Sequence, residues 1–320
     1  MALRLSYSSI STYEKCPFQY FLQYVEKLEA PRSPALSFGS SLHGALERFH
    51  SGTDKLSPGL DDLLRFMDEA WEGEGYADAE EEAAYRQRGR EILTRYYESN
   101  CAKPAIPVAL EQRFLLPMEG WELSGVMDRV DRYPDGSYEI IDYKTNKKLP
   151  PLSRLQEDMQ LPIYQMAAVQ VLGIKPVKLT FHYLVPDQRY TTRAHPQEEL
   201  ERLKARLQEV AEHIKRGEFE PRPNNLCRWC DVRLHCPLEQ QGALRIPALV
   251  DSYADLLHRR VLLEERIGCA RSELLDLAGS AGEGSLHSTK HRLRITECDG
   301  NIELELADGV GARLDPADEG

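Results

Sequence analysis

The stretch from residue 108 to 143 most limits what this chain can fold into. Three strand-like runs, 108–117, 121–132 and 137–143, follow one another almost without a break. Pro134-Asp135-Gly136 supplies a turn between the last two. Helical patterns surround them. Residues 6–28 read as an amphipathic helix that Ser8 or Ser11 can cap, with Tyr13, Phe18, Tyr20, Phe21 and Tyr24 at near-helical spacing. Residues 38–51, opening at Gly39, and 60–72 and 82–100 continue the helical series. After the strands come a helical pattern over 155–172, a strand over 177–185 and a helix over 196–216. Adjacent strands enclosed by helices predict an α/β fold, a mixed central sheet flanked by helices, with a helical N-terminal part.

A Pro-rich segment (Pro221, Pro223) leads into a cysteine group at 227–236, and the composition changes near 240–247. We therefore divide the chain into a main domain, 1–240, and an appendage, 248–320. The appendage reads as a long helix, 248–279, carrying Leu256, Leu257, Val261, Leu263 and Ile267. A Gly-rich break at 279–284 precedes a hairpin of Arg292–Ile295 with Asn301–Leu306. Nothing in the sequence assigns the appendage a role.

Several function classes drop out early. A hydrophobic fraction of 42% and a charged fraction of 29% are globular values, which excludes collagen-like and wholly disordered chains. No apolar run approaches the ~18–20 residues of a membrane span. The first residues lack a signal-peptide pattern, so the expected location is cytoplasmic. There is no G-x-x-x-x-G-K-(S/T) and no dinucleotide G-x-G-x-x-G, so no ATP-driven motor is encoded. The net charge of −12 at first argues against a nucleic-acid partner. Six acids without a base fill 72–82, and seven acids with Arg313 fill 299–320. Those two stretches hold the whole excess, so a local basic groove elsewhere is allowed.

Gly125-Val126-Met127-Asp128-Arg129-Val130-Asp131 lies on one strand, and Ile140-Ile141-Asp142-Tyr143-Lys144 ends the next. Residues i and i+2 of a strand share a face, so Asp142 and Lys144 project together, and hairpin pairing can bring Asp128 beside them. Two carboxylates hold a hard divalent cation such as Mg²⁺ or Mn²⁺. A nearby lysine can stabilise phosphorane charge or position an attacking water. An isolated D-x-K is more often a plain surface ion pair, so the wider pattern has to decide.

That pattern resembles the PD-(D/E)XK nuclease superfamily, in particular its RecB-like exonuclease family. Gly39-Ser40-Ser41-Leu42-His43 resembles the family's helical G-x-x-x-H element. The stretch from Gly125 to Asp131 resembles G-x-x-D-R-x-D, Asp142-Tyr143-Lys144 resembles D-Y-K, and Gln160-Leu161-Pro162-Ile163-Tyr164 resembles Q-x-x-x-Y. All four stand in the family's order. The resemblance implies a restriction-endonuclease-like core. It makes His43, Asp128 and Asp142 metal ligands, and Asp128, Asp142, Lys144, Gln160 and Tyr164 the catalytic set. Gln160 and Tyr164, four apart on one helical face, would orient the lysine or contact DNA. Glu111, starting the preceding strand, would support the ligands or serve a second metal. Arg129 and Asp131 read as supporting residues, or as a salt bridge at the sheet edge.

Cys227-x2-Cys230-x5-Cys236 brings three thiols within reach of one metal centre, and a closed site needs a fourth ligand. Spacing alone cannot choose among Cys16, Cys101, Cys269 and Cys298. The stretch around Tyr13-Glu14-Lys15-Cys16-Pro17-Phe18-Gln19-Tyr20 resembles the N-terminal half of the iron–sulfur staple of AddB-type and CRISPR-associated relatives. That resemblance makes Cys16, Cys227, Cys230 and Cys236 the ligands of a [4Fe–4S] cluster, with structural zinc the alternative. Cys101, Cys269 and Cys298 read as ordinary, buried or partly buried thiols. Phosphate contacts are sought at Lys144, Lys147, Lys148 and Arg154, and at Arg86, Arg88, Arg90 and Arg95. Trp229 would stack on an unpaired base or, as the better reading, pack against the cluster.

The expected function is metal-dependent hydrolysis of DNA, exonucleolytic on single strands or ends, in repair, recombination or DNA processing. The alternatives are a CRISPR-adaptation nuclease that trims captured DNA beside an integrase, and a non-catalytic DNA-end-binding subunit. A separate helicase would supply any motor.

Overall fold

The computed structural model describes residues 3–28, 32–52, 58–100, 105–240, 245–281, 284–287, 292–298 and 301–306. Strand β1 (Leu3–Ser6) leads into α1 (Tyr7–Lys15), which is entered through a reciprocal cap. Ser6 Oγ accepts from the Ser9 N–H, and Ser9 Oγ accepts from the Ser6 N–H. The expected single helix over 6–28 is interrupted at Cys16, whose backbone is extended, before α2 (Pro17–Tyr20) and a π-helical turn (Phe21–Val25). Pro17 has no N–H to continue the ladder and sits where a new helix begins. The break leaves the Cys16 sulfur at a corner rather than on a helix flank.

Helix α3 (Pro34–Ser51) starts earlier than Gly39 because Ser33 caps it and Pro34 opens it, and it ends at Gly52 with φ 63°. Helices α4 (Leu60–Glu69) and α5 (Ala79–Asn100) pack on α3. Between them the acidic stretch is ordered. Trp71 stacks on Tyr76, and its Nε1–H donates to Glu82.

Strands β2 (Ile106–Met118), β3 (Trp121–Arg132) and β4 (Tyr138–Lys144) form the antiparallel centre. Short α6 (Leu152–Gln156), α7 (Gln160–Ala167) and a π-helical turn (Ala168–Leu172) replace the expected continuous helix over 155–172. β5 (Lys178–Tyr183) pairs parallel with β4. β6 (Gln188–Arg193), a polar strand without an apolar alternation, closes the far side. Helix α8 (Gln197–Lys215) then covers one face, and α9 (Pro237–Gln240) follows the cysteine loop.

The sheet runs β1-β3-β4-β5-β6, with β2 along the other side of β3. It is mixed, because β1 is parallel to β3 and β4 to β5. Val130, Ile140, Leu179 and Phe181 face a core shared with Ile10, Leu161, Tyr164 and Leu207. Ile141 and Tyr143 point the other way, into a core with Leu42, Leu46, Phe66 and Leu93. Alternation along β4 thus feeds two helical layers.

By internal contacts the chain divides into two compact units, 1–241 and 242–320. The second contains α10 (Arg245–Ala281) and a three-stranded antiparallel sheet of β7 (Gly284–His287), β8 (Arg292–Cys298) and β9 (Asn301–Leu306). Strand β7 was not expected from the sequence. Cys101 and the acidic tail beyond residue 306 lie outside the described residues. Among the described residues no helix is long and apolar enough to cross a membrane.

Candidate active site

Strand β3 changes partner part-way along. Residues Arg129–Arg132 pair with β4, whereas Trp121–Ser124 pair with β1 on the same side. Between them, at 125–128, β4 and β1 have separated from β3. This is where an open sheet forms a crevice. Arg129 faces Leu110 on β2 and Ile141 on β4, so the next register position holds Glu111, Asp128 and Asp142 in a row across three strands. Glu111 sits inside β2 rather than at its start, with φ 42°, a conformation side chains other than glycine rarely adopt.

Two helices complete the row. His43 comes from α3, on the Tyr143 side of the sheet, and its Nδ1 lies 3.4 Å from Asp128 Oδ2. Asp128 Oδ2 also accepts the Tyr143 N–H at 2.8 Å, which fills part of the unpaired edge. From the other side α7 presents Gln160. Its Nε2 donates to Asp142 Oδ1 and to Tyr164 Oη, both at 2.8 Å, and its Oε1 accepts from Lys144 Nζ at 2.6 Å. Lys144 Nζ also lies 2.6 Å from Asp142 Oδ2, off the hydrogen-bonding direction, so that oxygen is buried without a hydrogen bond. Gln160 and Tyr164 are themselves buried, with their polar atoms turned toward each other and toward Asp142 and Lys144.

The electrostatics fit a cation. Burial, then the Asp142 charge, pushes the Asp128 carboxyl well above the usual range. Glu111 is pushed up to about 7 by burial, then by Glu47 and Asp142. Burial holds His43 below the ordinary histidine value, which keeps its imidazole a neutral donor. Crowded carboxylates of this kind are relieved by a divalent ion. Glu111, Asp128 and His43 present ligand atoms within 4.8 Å of one another; Asp142, on the neighbouring strand, is not in that group and keeps its Oδ2 against the Lys144 ammonium. Hard oxygens with one imidazole suit Mg²⁺ or Mn²⁺.

The family model of the PD-(D/E)XK nuclease superfamily matches residues 4–237, most of the chain. The chain belongs to the PD-(D/E)XK nuclease superfamily. The Gene 69 protein of Mycobacterium phage L5 is 22% identical over 284 residues, covering 73% of this chain and 96% of that protein. An ATP-dependent helicase/deoxyribonuclease subunit of Streptococcus uberis is 26% identical over 189 residues, 51% of this chain but only 16% of its own length. A solved Eubacterium rectale protein, provisionally named an exonuclease, aligns at TM-score 0.43 and 19% identity over 71% of this chain and 86% of its own.

Within this superfamily member, Arg129 and Asp131 are no edge salt bridge. The guanidinium is buried, donates to both Asp131 oxygens at 2.5 and 2.7 Å, and donates through Nη1 to His50 Nε2 at 2.5 Å and Tyr96 Oη at 3.1 Å. Tyr96 in turn bonds Tyr143. His50 lies two turns beyond His43 on α3, so the network fixes that helix against β3 and β4. Sequence reasoning passed over His50, although a spacing of seven from His43 on one helix was available as a signal. It also missed Asp158, whose Oδ1 accepts the Gln160 N–H at 2.8 Å. An aspartate just ahead of an apolar helix was the available cue.

The chain's basic groups are more occupied than expected. Arg86 and Arg90 pair with Asp68, Arg86 also lies over Trp71, and Arg95 donates to the Val185 carbonyl. The cysteine loop comes to α1. The Arg222 N–H points at Cys16 Sγ (3.4 Å) and the Asn224 N–H at Cys227 Sγ (3.3 Å). Arg222 and Asn224 side chains bond the Glu14 and Lys15 carbonyls. Cys230 feels both Cys16 and Cys227. Trp229 does not pack inward. It is 62% exposed, with the Arg228 guanidinium 3.6 Å from its ring centroid. Cys269 is exposed on α10, not buried; the side chain of Cys298 lies outside the described residues.

Proposed function

We propose that this chain is a Mg²⁺- or Mn²⁺-dependent deoxyribonuclease acting on single-stranded DNA or DNA ends. The observation that carries this reading is the convergence of Glu111, Asp128 and Asp142 in one row, with His43 on one side and Lys144 held by Gln160 on the other. His43, Asp128 and Asp142 would hold the ion, with Glu111 as a further donor. Such an ion supplies an acidified water and a polarised phosphoryl oxygen. Gln160 holds the Lys144 ammonium at the Asp142 carboxylate, where it can meet charge developing on the phosphate. The relation to a helicase/deoxyribonuclease subunit supports a separate motor as partner.

Cys16, Cys227, Cys230 and Cys236 form a [4Fe–4S] site in this reading. The support is that Cys16 and Cys227, on two distant segments, each have a backbone N–H aimed at the sulfur, and that Cys230 is close enough to feel both. Its binding energy would be folding energy, tying α1 to the end of the domain. The site is structural in this reading, and zinc is the competing occupant.

The test is anaerobic purification with iron, sulfide and zinc analysis, then digestion of single-stranded and duplex DNA with Mg²⁺ or Mn²⁺. Cleavage is expected to vanish in Asp142→Asn, with the fold retained. Undiminished cleavage by that variant would refute the nuclease site, and inert wild-type protein on every DNA would favour an end-binding subunit.

A further inference from the structure

Helix α1 touches the site at one end and the cysteines at the other. At its first residue the Tyr7 hydroxyl donates to Asp158 Oδ2 at 2.7 Å. The other oxygen of the same carboxylate accepts the Gln160 N–H at 2.8 Å. At its far end α1 is capped by Cys16, about 13 Å away at ~1.5 Å per residue. There Arg222 and Asn224 hold the last carbonyls of the helix.

Three of the four bonds the Gln160 amide can make are in place. Its amide oxygen is taken by Lys144 and its amide nitrogen by Asp142 and Tyr164, so any shift of its backbone is felt at the lysine. Asp158 fixes that backbone, and Tyr7 fixes Asp158. The hydroxyl is partly buried on the Asp158 carboxylate, and burial together with the Asp158 and Asp142 charges raises its pKa, so it stays protonated and donates to Asp158. Resting on the nuclease reading above, we propose that Tyr7 is a positioning residue for the Gln160–Lys144 pair, acting through Asp158, and that α1 thereby links the cysteine constellation mechanically to the cleavage centre.

The test is a cycle of Tyr7→Phe, Asp158→Asn and the double variant, measured on a single-stranded oligonucleotide with Mn²⁺. Tyr7→Phe is expected to lower kcat about tenfold, with KM and melting temperature near wild type. The double variant should be no slower than the slower single, because both break one link. Hydrogen exchange supplies a readout apart from activity: the Gln160 amide should lose protection in Tyr7→Phe. It should also lose protection in Cys16→Ser or, should that variant not fold, in Arg222→Ala, which loosens the far end of α1 and keeps all four cysteines. An unchanged kcat, a loss confined to KM, or multiplying losses in the double variant would overturn the positioning role. Unaltered Gln160 exchange in both far-end variants would overturn the link. Failure of Asp142→Asn to abolish cleavage would instead strike the nuclease reading itself.

Discussion

His50 shows what a single half-buried side chain does for this fold. Its Nε2 accepts from Arg129, so the ring must be neutral, and burial followed by the Arg129 charge drives its pKa down to about 2. In the unfolded chain it titrates near ~6.5. The stability it contributes is therefore complete above that value and is lost as pH falls through it, because only the unfolded state gains the proton. Between pH 6.5 and 5 this amounts to about 2 kcal/mol at ~1.4 kcal/mol per unit. In His50→Gln, which can still accept from Arg129, the loss of unfolding free energy between pH 7.5 and 5 should be smaller by about that amount. Equal pH dependence in urea melts of the two proteins would rule the account out. This pair was illegible in the sequence, because His50 and Arg129 are 79 positions apart. Asp142 with Lys144, and Gln160 with Tyr164, were legible because strand and helix periods make them neighbours.

Among the elements, β3 organises the site, since one strand serves β2, β4 and β1 in turn. The middle of the sheet was readable from its alternation and turn, but β1 and β6 were not. β1 has only four residues, and β6 (Gln-Arg-Tyr-Thr-Thr-Arg) shows no apolar period. Gly125 has a packing reason. It pairs with Phe114 on β2, whose ring lies over it, and a Cβ there would collide with Phe114 Cζ. The same ring packs edge-on against Tyr164, so the glycine lets β2 support the helix that carries Gln160. Gly125→Ala should cost about 1–3 kcal/mol of stability through overpacking and slow cleavage by disturbing Tyr164. Adding Phe114→Leu should recover part of the stability in a urea melt. A double variant no more stable than Gly125→Ala would show that the collision with Phe114 is not the cause.

At the scale of the molecule, both cores and every candidate site residue fall within 1–241. The superfamily match stops at residue 237, just after Cys236 and inside α9. The 242–320 unit has its own helix and its own three-stranded sheet, and among the described residues no strand is shared with the first sheet. The 1–241 unit closes its own sheet and buries both faces under its own helices, which is what a domain needs to fold alone. On the proposed function, a chain ending at Gln241 should therefore fold, keep any iron or zinc that the full protein carries, and cleave single-stranded DNA with kcat within about twofold of the full protein, as expected when no shared core is cut. Thermal melting, metal content and kcat of the truncated chain check this together. A truncated protein that is folded and metal-loaded but inactive would mean that residues 242–320 take part in cleavage. A truncated protein that fails to fold would mean that the first unit depends on contacts the second provides.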